Sequence, residues 1–350
     1  MVPLRIGIVG TGFGGYGLTP AFRLDSRCDV VAIAASSGES AQKAAKRWHI
    51  PVSATWRELV EAKDIDAIAI AAPPTQQMEI AAAVLTSGKA VFAEKPLTAS
   101  LEDAVQLTRQ AENSGLAHMI DFIFPELDTW ARAKSILDKG LLGTVRHAFV
   151  DWRMESYDLR NQIESWKTDS KLGGGVLTHF GCHTLYYLEW LLGPISDLSA
   201  HLSIAPGSKF TGDTLASLAF FCGTGVSGSV TLSSAALMGS GHRVEIYGDS
   251  ASIFLENDGS DPVEGFRLYF GERGSECREL LLEERRADWP ENTDSRVAPA
   301  AKLVARFVDW VTSGEKNMPS FREGLRVQFL LDAVVRSSAN KGHAVSVQED

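Results

Sequence analysis

The fold is decided by the stretch Leu4-Arg5-Ile6-Gly7-Ile8-Val9-Gly10-Thr11-Gly12-Phe13-Gly14-Gly15. A short apolar strand runs directly into a loop with G-x-G-x-x-G spacing, filled by Gly10, Gly12 and Gly15. These glycines allow a tight turn, a close approach of backbone to a diphosphate, and tight helix–strand packing. The loop therefore predicts a dinucleotide site at a helix N-terminus, although a purely structural glycine turn has the same spacing. The other loop residues are further candidate cofactor contacts: Thr11, Phe13 and Gly14.

Strands and helices alternate along the first 121 residues. Apolar runs typical of buried parallel strands occur at 30–34, 67–72, 91–93 and 117–120. This alternation predicts an α/β, doubly wound parallel sheet, a Rossmann domain over residues 1–121.

Beyond residue 121 the predicted strands follow one another without helices between them. They lie between residues 145 and 282, and a helix over 323–338 and a short strand over 344–347 follow. This order predicts an α+β domain with an open, mostly antiparallel sheet over residues 122–350. The charged stretch 283–298 predicts a surface loop.

The end of the second strand bears on cofactor choice. NAD sites usually carry an acid there, which accepts from the ribose 2′-hydroxyl. This chain instead has Ser36 and Ser37 after Ala35, and Lys43 lies in the next predicted helix. The pattern favours NADP(H) over NAD(H), with the 2′-phosphate near Lys43. The two serines also suit a simple helix cap.

A lysine ends another predicted strand, in the segment 88–96. Its last residues are Glu94-Lys95-Pro96, at the carboxyl edge of the sheet, where open α/β folds bind ligands. Lys95 is therefore predicted to touch the reacting end of a dinucleotide, and Glu94 and Pro73 are candidate cofactor contacts. The alternative is a strand stopped by proline, with a solvated lysine.

Two histidines lie four residues apart after a run of three glycines. His179 and His183 share one face of a predicted helix, and Trp166 and Lys167 just upstream are candidates for a pocket wall. The histidines also suit ordinary helix polar groups. A zinc set with Cys182 lacks a fourth ligand, so no metal is predicted.

Charge and composition limit the classes of function. The net charge is −10: residues 1–121 carry 11 Lys+Arg and 13 Asp+Glu, and the remainder carries 23 and 31. Neither part is a basic surface for nucleic acid. No apolar run is long enough for a membrane span, and no signal peptide pattern is present. The scattered cysteines predict reduced thiols and a cytoplasmic location: Cys28, Cys182, Cys222 and Cys277.

With the glycine loop, the Glu94-Lys95-Pro96 segment, the 173–183 segment and the 319–327 stretch in this order, the chain resembles the Gfo/Idh/MocA family. The resemblance implies a Rossmann domain followed by a domain on an open sheet. It also implies oxidation or reduction of sugars, cyclitols and related small molecules with NAD(H) or NADP(H). Association through the C-terminal sheet into a homodimer or homotetramer is usual in the family. Strand 226–233 suits this, because one of its faces is apolar and the other is small and hydroxyl-rich.

The resemblance also assigns roles to residues. Lys95 matches the family's catalytic lysine and His183 its catalytic histidine, while His179 fills a slot that normally holds aspartate. An arginine often found after the sixth strand is absent from 121–125.

The predicted chemistry is reversible hydride transfer. In it His183 exchanges the hydroxyl proton and Lys95 hydrogen-bonds the oxygen that gains charge. His179 would contact substrate or carry a second proton, with Trp166 and Lys167 in the pocket wall. Redox-assisted elimination or glycosidic cleavage, a non-catalytic dinucleotide sensor and a zinc protein remain alternatives.

Overall fold

The computed structural model describes residues 2–282 and 293–347, with every side chain in them except that of Ser53. The backbone of these residues divides into two compact units. The first contains residues 2–123 and 293–328, and the second contains residues 124–282 and 329–347.

The first unit is built on a six-stranded sheet in which every neighbouring pair is parallel. Its strands are β1 (Leu4–Val9), β2 (Cys28–Ala34), β3 (Val52–Ala54), β4 (Ala67–Ile70), β5 (Ala90–Ala93) and β6 (His118–Ile120). The spatial order is β3-β2-β1-β4-β5-β6, which is the order of doubly wound dinucleotide-binding domains. The predicted Rossmann sheet is therefore confirmed.

Helices connect these strands. They are α1 (Thr19–Arg23), α2 (Gly38–Trp48), α3 (Trp56–Glu61), α4 (Pro74–Thr86) and α5 (Leu101–Ser114). A π-helical turn, Gly14–Leu18, leads from the glycine loop into α1. All four residues of β4 are buried, as expected for a strand covered on both faces.

The second unit is built on a nine-stranded, mostly antiparallel sheet, as predicted. Its strands are β7 (Val145–Arg153), β8 (Ile195–Ser203), β9 (Leu215–Cys222), β10 (Ser227–Ser233), β11 (Gly241–Gly248), β12 (Ala251–Asn257), β13 (Arg267–Glu272), β14 (Arg278–Glu279) and β15 (Val345–Ser346). The order is β14-β13-β12-β11-β7-β10-β9-β8-β15, and among the described strands only the pairing of β7 with β10 is parallel. The helices of this part are α6 (Asp128–Asp138), α7 (Tyr157–Arg160) and α8 (Cys182–Leu192), and the π-helical turn Leu177–Gly181 precedes α8.

Two long helices lie within the second stretch of described residues, 293–347. They are α9 (Val297–Ser313) and α10 (Phe321–Ala339), and α10 begins in the first unit and ends in the second. The sequence predicts α10 but not α9. The predicted loop over 283–298 is wrong for Val297 and Ala298, which begin α9, while 283–292 lie outside the described residues.

Helix α9 also changes the predicted division of the chain, because it belongs to the first unit rather than to a domain spanning 122–350. The Phe307 ring packs edge-on against Phe22 and Phe92, with centroid distances of 6.2 and 5.7 Å. Asp309 pairs with Arg27 at 2.6 Å. Both contacts tie the helix to the Rossmann sheet and its first helix. None of the helices within the described residues is long and apolar enough to cross a membrane.

Candidate functional site

The three spaced glycines in the loop after β1 differ in what a side chain at each position would meet. Gly10 has φ +105°, and a Cβ there would lie 2.2 Å from the carbonyl oxygen of Ala71. A Cβ on Gly15 would lie 2.5 Å from Nε1 of Trp48, so the missing side chain lets that indole pack against the helix start. A Cβ on Gly12 would meet nothing within 4 Å. The loop is thus closed against its own unit at two glycines and open at the third, which fits the approach of a diphosphate.

An arginine that the sequence analysis did not identify packs against the aromatic rings of the glycine loop and the turn that follows it. The Arg296 guanidinium is 4.6 Å from the ring centre of Phe13 and 5.4 Å from that of Tyr16. Its Nε and Nη2 donate to the two carboxylate oxygens of Asp294, each at 2.8 Å. Only the folded chain brings Arg296 to the loop, so no local motif could have identified it.

The residues predicted to favour NADP(H) lie at the end of β2 and in α2. Ser37 is the N-cap of α2, and its hydroxyl accepts from the Ser40 amide at 3.2 Å. Lys43 pairs with Glu39 at 2.5 Å, one turn away on the exposed helix face. Ser36 is exposed beside them. The helix-cap interpretation of Ser37 is therefore correct, and the exposed Lys43–Glu39 pair contributes little to stability.

The side-chain amide of one buried glutamine holds the backbone of the segment that carries Lys95. Gln77 is buried in α4, and its Nε2 donates to the carbonyl oxygens of Glu94, Pro96 and Leu97 at 2.5, 2.9 and 3.1 Å. Lys95 and Glu94 are half-buried at the carboxyl end of β5, and Pro73 is the N-cap residue of α4. The structure thus places Lys95, Glu94 and Pro73 on the edge of the sheet to which the glycine loop belongs.

In the second unit the glycine run allows two close backbone approaches. A Cβ on Gly174 would lie 2.0 Å from the carbonyl oxygen of Trp166, and one on Gly175 would lie 2.1 Å from Oδ1 of Asp213. Asp213 Oδ2 accepts from the Leu177 amide at 2.9 Å, at the start of the π-helical turn. Burial raises the pKa of Asp213 above its usual range. This carboxyl group fixes the turn that carries His179.

A pocket with about 470 Å³ of empty volume lies within the second unit and brings together two of the predicted substrate residues, Lys167 and His179. Its wall also contains side chains that the sequence did not indicate: Tyr157, Asp158, Phe210 and Asp213. The Tyr157 side chain is 71 % exposed, so its ring offers a flat surface at the pocket wall. The pocket wall thus combines an aromatic ring face with both donors and acceptors of hydrogen bonds.

Trp166 and His183 do not line this pocket. His183 is buried near the start of α8, with its ring edge-on to Phe124 at a centroid distance of 5.0 Å. Trp166 is half-buried, and its backbone packs on Gly174. Across residues 2–282 and 293–347, no group of three or more His, Cys, Asp and Glu side chains is arranged to hold a metal ion.

Comparison with known proteins identifies the family that has this architecture. Residues 4–122 match the oxidoreductase family with an NAD-binding Rossmann fold, and residues 134–347 match its C-terminal alpha/beta domain. The chain belongs to the Gfo/Idh/MocA oxidoreductase family. An uncharacterized oxidoreductase of Synechocystis sp. is 30% identical over 99% of this chain and 96% of its own length. The protein is therefore an oxidoreductase with a fold for binding NAD.

The chain is also similar to proteins with named activities. A dTDP-3,4-didehydro-2,6-dideoxy-alpha-D-glucose 3-reductase of Streptomyces violaceoruber is 27% identical over 88% of this chain and 85% of its own. The structure of a levoglucosan dehydrogenase in complex with NADH and L-sorbose superimposes with a TM-score of 0.89 over the full length of both chains. At 23% identity, that structural match shows the shared fold.

Proposed function

We propose that this protein transfers a hydride between NAD(P)(H) and a carbinol or carbonyl carbon of a sugar, cyclitol or related small molecule. The observation that carries the proposal is Lys95 at the end of β5, on the sheet edge that also bears the glycine loop. Ligands of doubly wound sheets bind at this edge. The named relatives, a sugar-nucleotide reductase and a levoglucosan dehydrogenase, support a sugar-like substrate.

The chain's own residues have separate tasks in this proposal. The bound nicotinamide ring supplies hydride exchange at carbon. Lys95 donates a hydrogen bond to the substrate oxygen and stabilises its negative charge, an effect worth about 3 kcal/mol for a single donor in a dry site. His183 accepts the hydroxyl proton during oxidation and returns it during reduction.

The pocket in the second unit supports a polyhydroxylated substrate. Lys167 and His179 offer donors, Asp158 offers an acceptor, and the exposed Tyr157 ring offers an apolar face to the C–H side of a sugar ring. We assign substrate contact to Lys167 and His179, with Trp166 supporting the pocket wall through its backbone contact with Gly174.

We also propose that NADP(H) binds more tightly than NAD(H), because Ala35 stands where an acid would meet the ribose 2′-hydroxyl. The structures of relatives hold NADH, and this is a property of those proteins. None of the four cysteines in the described residues forms a disulfide, which suits a reducing, cytoplasmic compartment.

The open face of the nine-stranded sheet is proposed to pair with a second copy. In β10, Val230 and Leu232 are buried while Ser229 is exposed, so the hydroxyl-rich face is turned away from the core. Phe149 and Phe221 add apolar surface to neighbouring strands and are 39 and 53 % exposed. Light scattering at micromolar concentration should give a dimer or tetramer mass. A monomer mass would contradict this proposal.

The activity is tested with the purified full-length chain and a panel of sugars, sugar acids, cyclitols and sugar nucleotides. Each compound is incubated with NAD⁺ and with NADP⁺, and formation of the reduced nicotinamide is followed by absorbance. Turnover of at least one polyol that Lys95→Ala abolishes would support the assignment. Release of an aglycone or of water without net nicotinamide reduction would show an elimination instead.

A further inference from the structure

Two acidic side chains meet at the carboxyl ends of neighbouring parallel strands in the first unit. Glu94 follows β5 and Asp121 follows β6, and the Asp121 amide donates to the Ala93 carbonyl oxygen at 2.9 Å. Asp121 is only 2 % exposed, and its carboxyl group lies next to that of Glu94. A buried acid therefore lies directly against the residue that precedes Lys95.

Ionised carboxylates cannot satisfy this contact. Glu94 Oε1 and Asp121 Oδ1 are both buried, and neither has a hydrogen-bond partner within the described residues. Carboxylates only accept hydrogen bonds, so two of them in contact leave both oxygens without a donor and repel each other. A single proton changes this, because a protonated acid donates a short, strong O–H···O bond to the neighbouring carboxylate.

The charges around the pair favour a proton on Asp121. Burial raises the pKa of Asp121 well above its usual range, and the charge of Glu94 raises it further. Lys95, on the same segment as Glu94, and Arg296, in the stretch before α9, act in the opposite direction. The effect of Arg296 is weakened by its two hydrogen bonds to Asp294. Burial and the neighbouring acid therefore outweigh the two cations.

We propose that Asp121 is a positioning residue for Lys95. Asp121 and Glu94 hold one proton between them, and the resulting hydrogen bond fixes the Glu94 carboxylate, so that a single negative charge lies beside the lysine. This inference rests on the proposed function, in which Lys95 contacts the reacting oxygen. Without the proton, a second negative charge would compete with substrate for the lysine ammonium.

The shared proton is tested without turnover. In the infrared difference spectrum of the full-length protein minus its Asp121→Asn variant at neutral pH, we expect the carbonyl stretch of a protonated acid, shifted in D₂O. The matched control is Asp29→Asn, since Asp29 is exposed on β2 of the same sheet and should give no such band. A spectrum with only ionised carboxylate bands would overturn the proposal, whatever the enzyme's substrate proves to be.

The positioning role is tested by kinetics with a substrate found in the panel. Asparagine at 121 still donates a neutral hydrogen bond to Glu94, so it should rescue what leucine loses. We expect Asp121→Leu to lower kcat on the order of tenfold with cofactor Kd unchanged, and Asp121→Asn to stay within about threefold of wild type. We also expect kcat of the wild type to fall at alkaline pH as Asp121 ionises, and we expect this fall to be absent in the asparagine variant.

Equal losses in the two variants, or no loss in either, would overturn the positioning role. Full activity of Lys95→Ala would instead refute the proposed role of the lysine, and it would leave the infrared result on the shared proton intact.

Discussion

Gln77 Nε2 donates to the Glu94 carbonyl oxygen across 2.5 Å, and this contact ties α4 to the segment that carries Lys95. The same amide nitrogen also reaches the next carbonyl oxygens along the chain. The lysine therefore projects from a backbone fixed by one buried side chain that is 1 % exposed.

Replacing this amide should loosen the segment. We expect Gln77→Leu to lower the free energy of unfolding by about 1–3 kcal/mol, because buried carbonyl oxygens lose their donor. We also expect kcat/KM to fall on the order of tenfold, because the lysine is displaced. Urea unfolding and initial rates measure both effects. The control is Gln76→Leu at the exposed neighbouring position, and equal destabilisation by the two variants would contradict the role of Gln77.

Removing either proposed catalytic group should affect chemistry rather than cofactor binding. Lys95→Ala and His183→Ala should each lower kcat/KM on the order of 10²-fold or more. The Kd for the dinucleotide, measured by calorimetry, should change little because the glycine loop holds the diphosphate. Full activity in the double variant would refute the catalytic assignment of both residues.

His179 lies in the pocket wall, in the slot to which the sequence resemblance assigns an aspartate. If the histidine serves this protein's own substrate, His179→Asp should lower kcat/KM as strongly as His183→Ala does, on the order of 10²-fold. His179→Gln, which keeps a hydrogen-bonding group without the titration, shows whether the proton or the contact matters. Wild-type rates with aspartate would mean that the histidine merely fills the slot.

Cofactor choice depends on the exposed end of β2. Lys43→Ala should weaken the binding of NADP(H) on the order of tenfold and leave the affinity for NAD(H) unchanged. The reason is that only NADP(H) carries a 2′-phosphate that the ammonium group can contact. Calorimetric titration of the wild type and the variant with both cofactors measures this. Lys46→Ala, three residues further along α2 on its exposed surface, is the control. A clear preference of the wild type for NAD(H) would contradict the proposal.

A buried histidine in the second unit should make the free energy of unfolding depend on pH in the acidic range. His242 stacks on Trp152 at 4.2 Å, and its Nε2 lies 2.9 Å from the hydroxyl of Tyr187. Burial lowers the pKa of His242 to about 3, from a usual value of 6.5. Between these values the unfolded chain binds a proton that the folded chain does not, so stability rises with pH and falls as the pH drops.

This histidine contributes up to about 1.4 kcal/mol per pH unit to that slope. His242→Phe keeps the stacked ring and should flatten the slope below pH 6.5, and denaturant unfolding at several pH values measures it. The Tyr187 hydroxyl keeps its bond to Thr184 in this variant. His343→Phe, at an exposed position, should leave the slope unchanged. An unaltered slope in His242→Phe would show that other groups control acid unfolding.

The strands and helices that can be predicted from the sequence are those with a local pattern of residues. The glycine loop and the apolar runs predict the parallel sheet, because a strand buried on both faces has to be apolar along its length. The short strand β3 was not predicted, since Val52–Ala54 has no pattern of its own and lies at the edge of the described sheet, paired with β2. Helix α9 was not predicted either, because Pro299 lies in its first turn and a charged stretch precedes it.

The supporting residues of the site could not be predicted for a different reason. Gln77, Asp121, Arg296 and Asp213 each act on a partner distant in sequence. A single glutamine or aspartate carries no signal of the backbone that it will meet. Lys95 and His183, by contrast, lie within recognisable segments, so sequence identifies the proposed catalytic groups but not the groups that hold them.

The contact of Phe307 with Phe22 and Phe92 has a consequence for synthesis of the chain on the ribosome. Domains generally fold in order as they emerge, the N-terminal one first. Here the Rossmann sheet emerges early, but the aromatic side chain that completes its packing is translated only after residues 124–282. Until α9 is synthesised, Phe22 and Phe92 therefore lack their contact with Phe307. We expect a fragment ending near residue 121 to bind chaperones or to aggregate, because it never gains this contact.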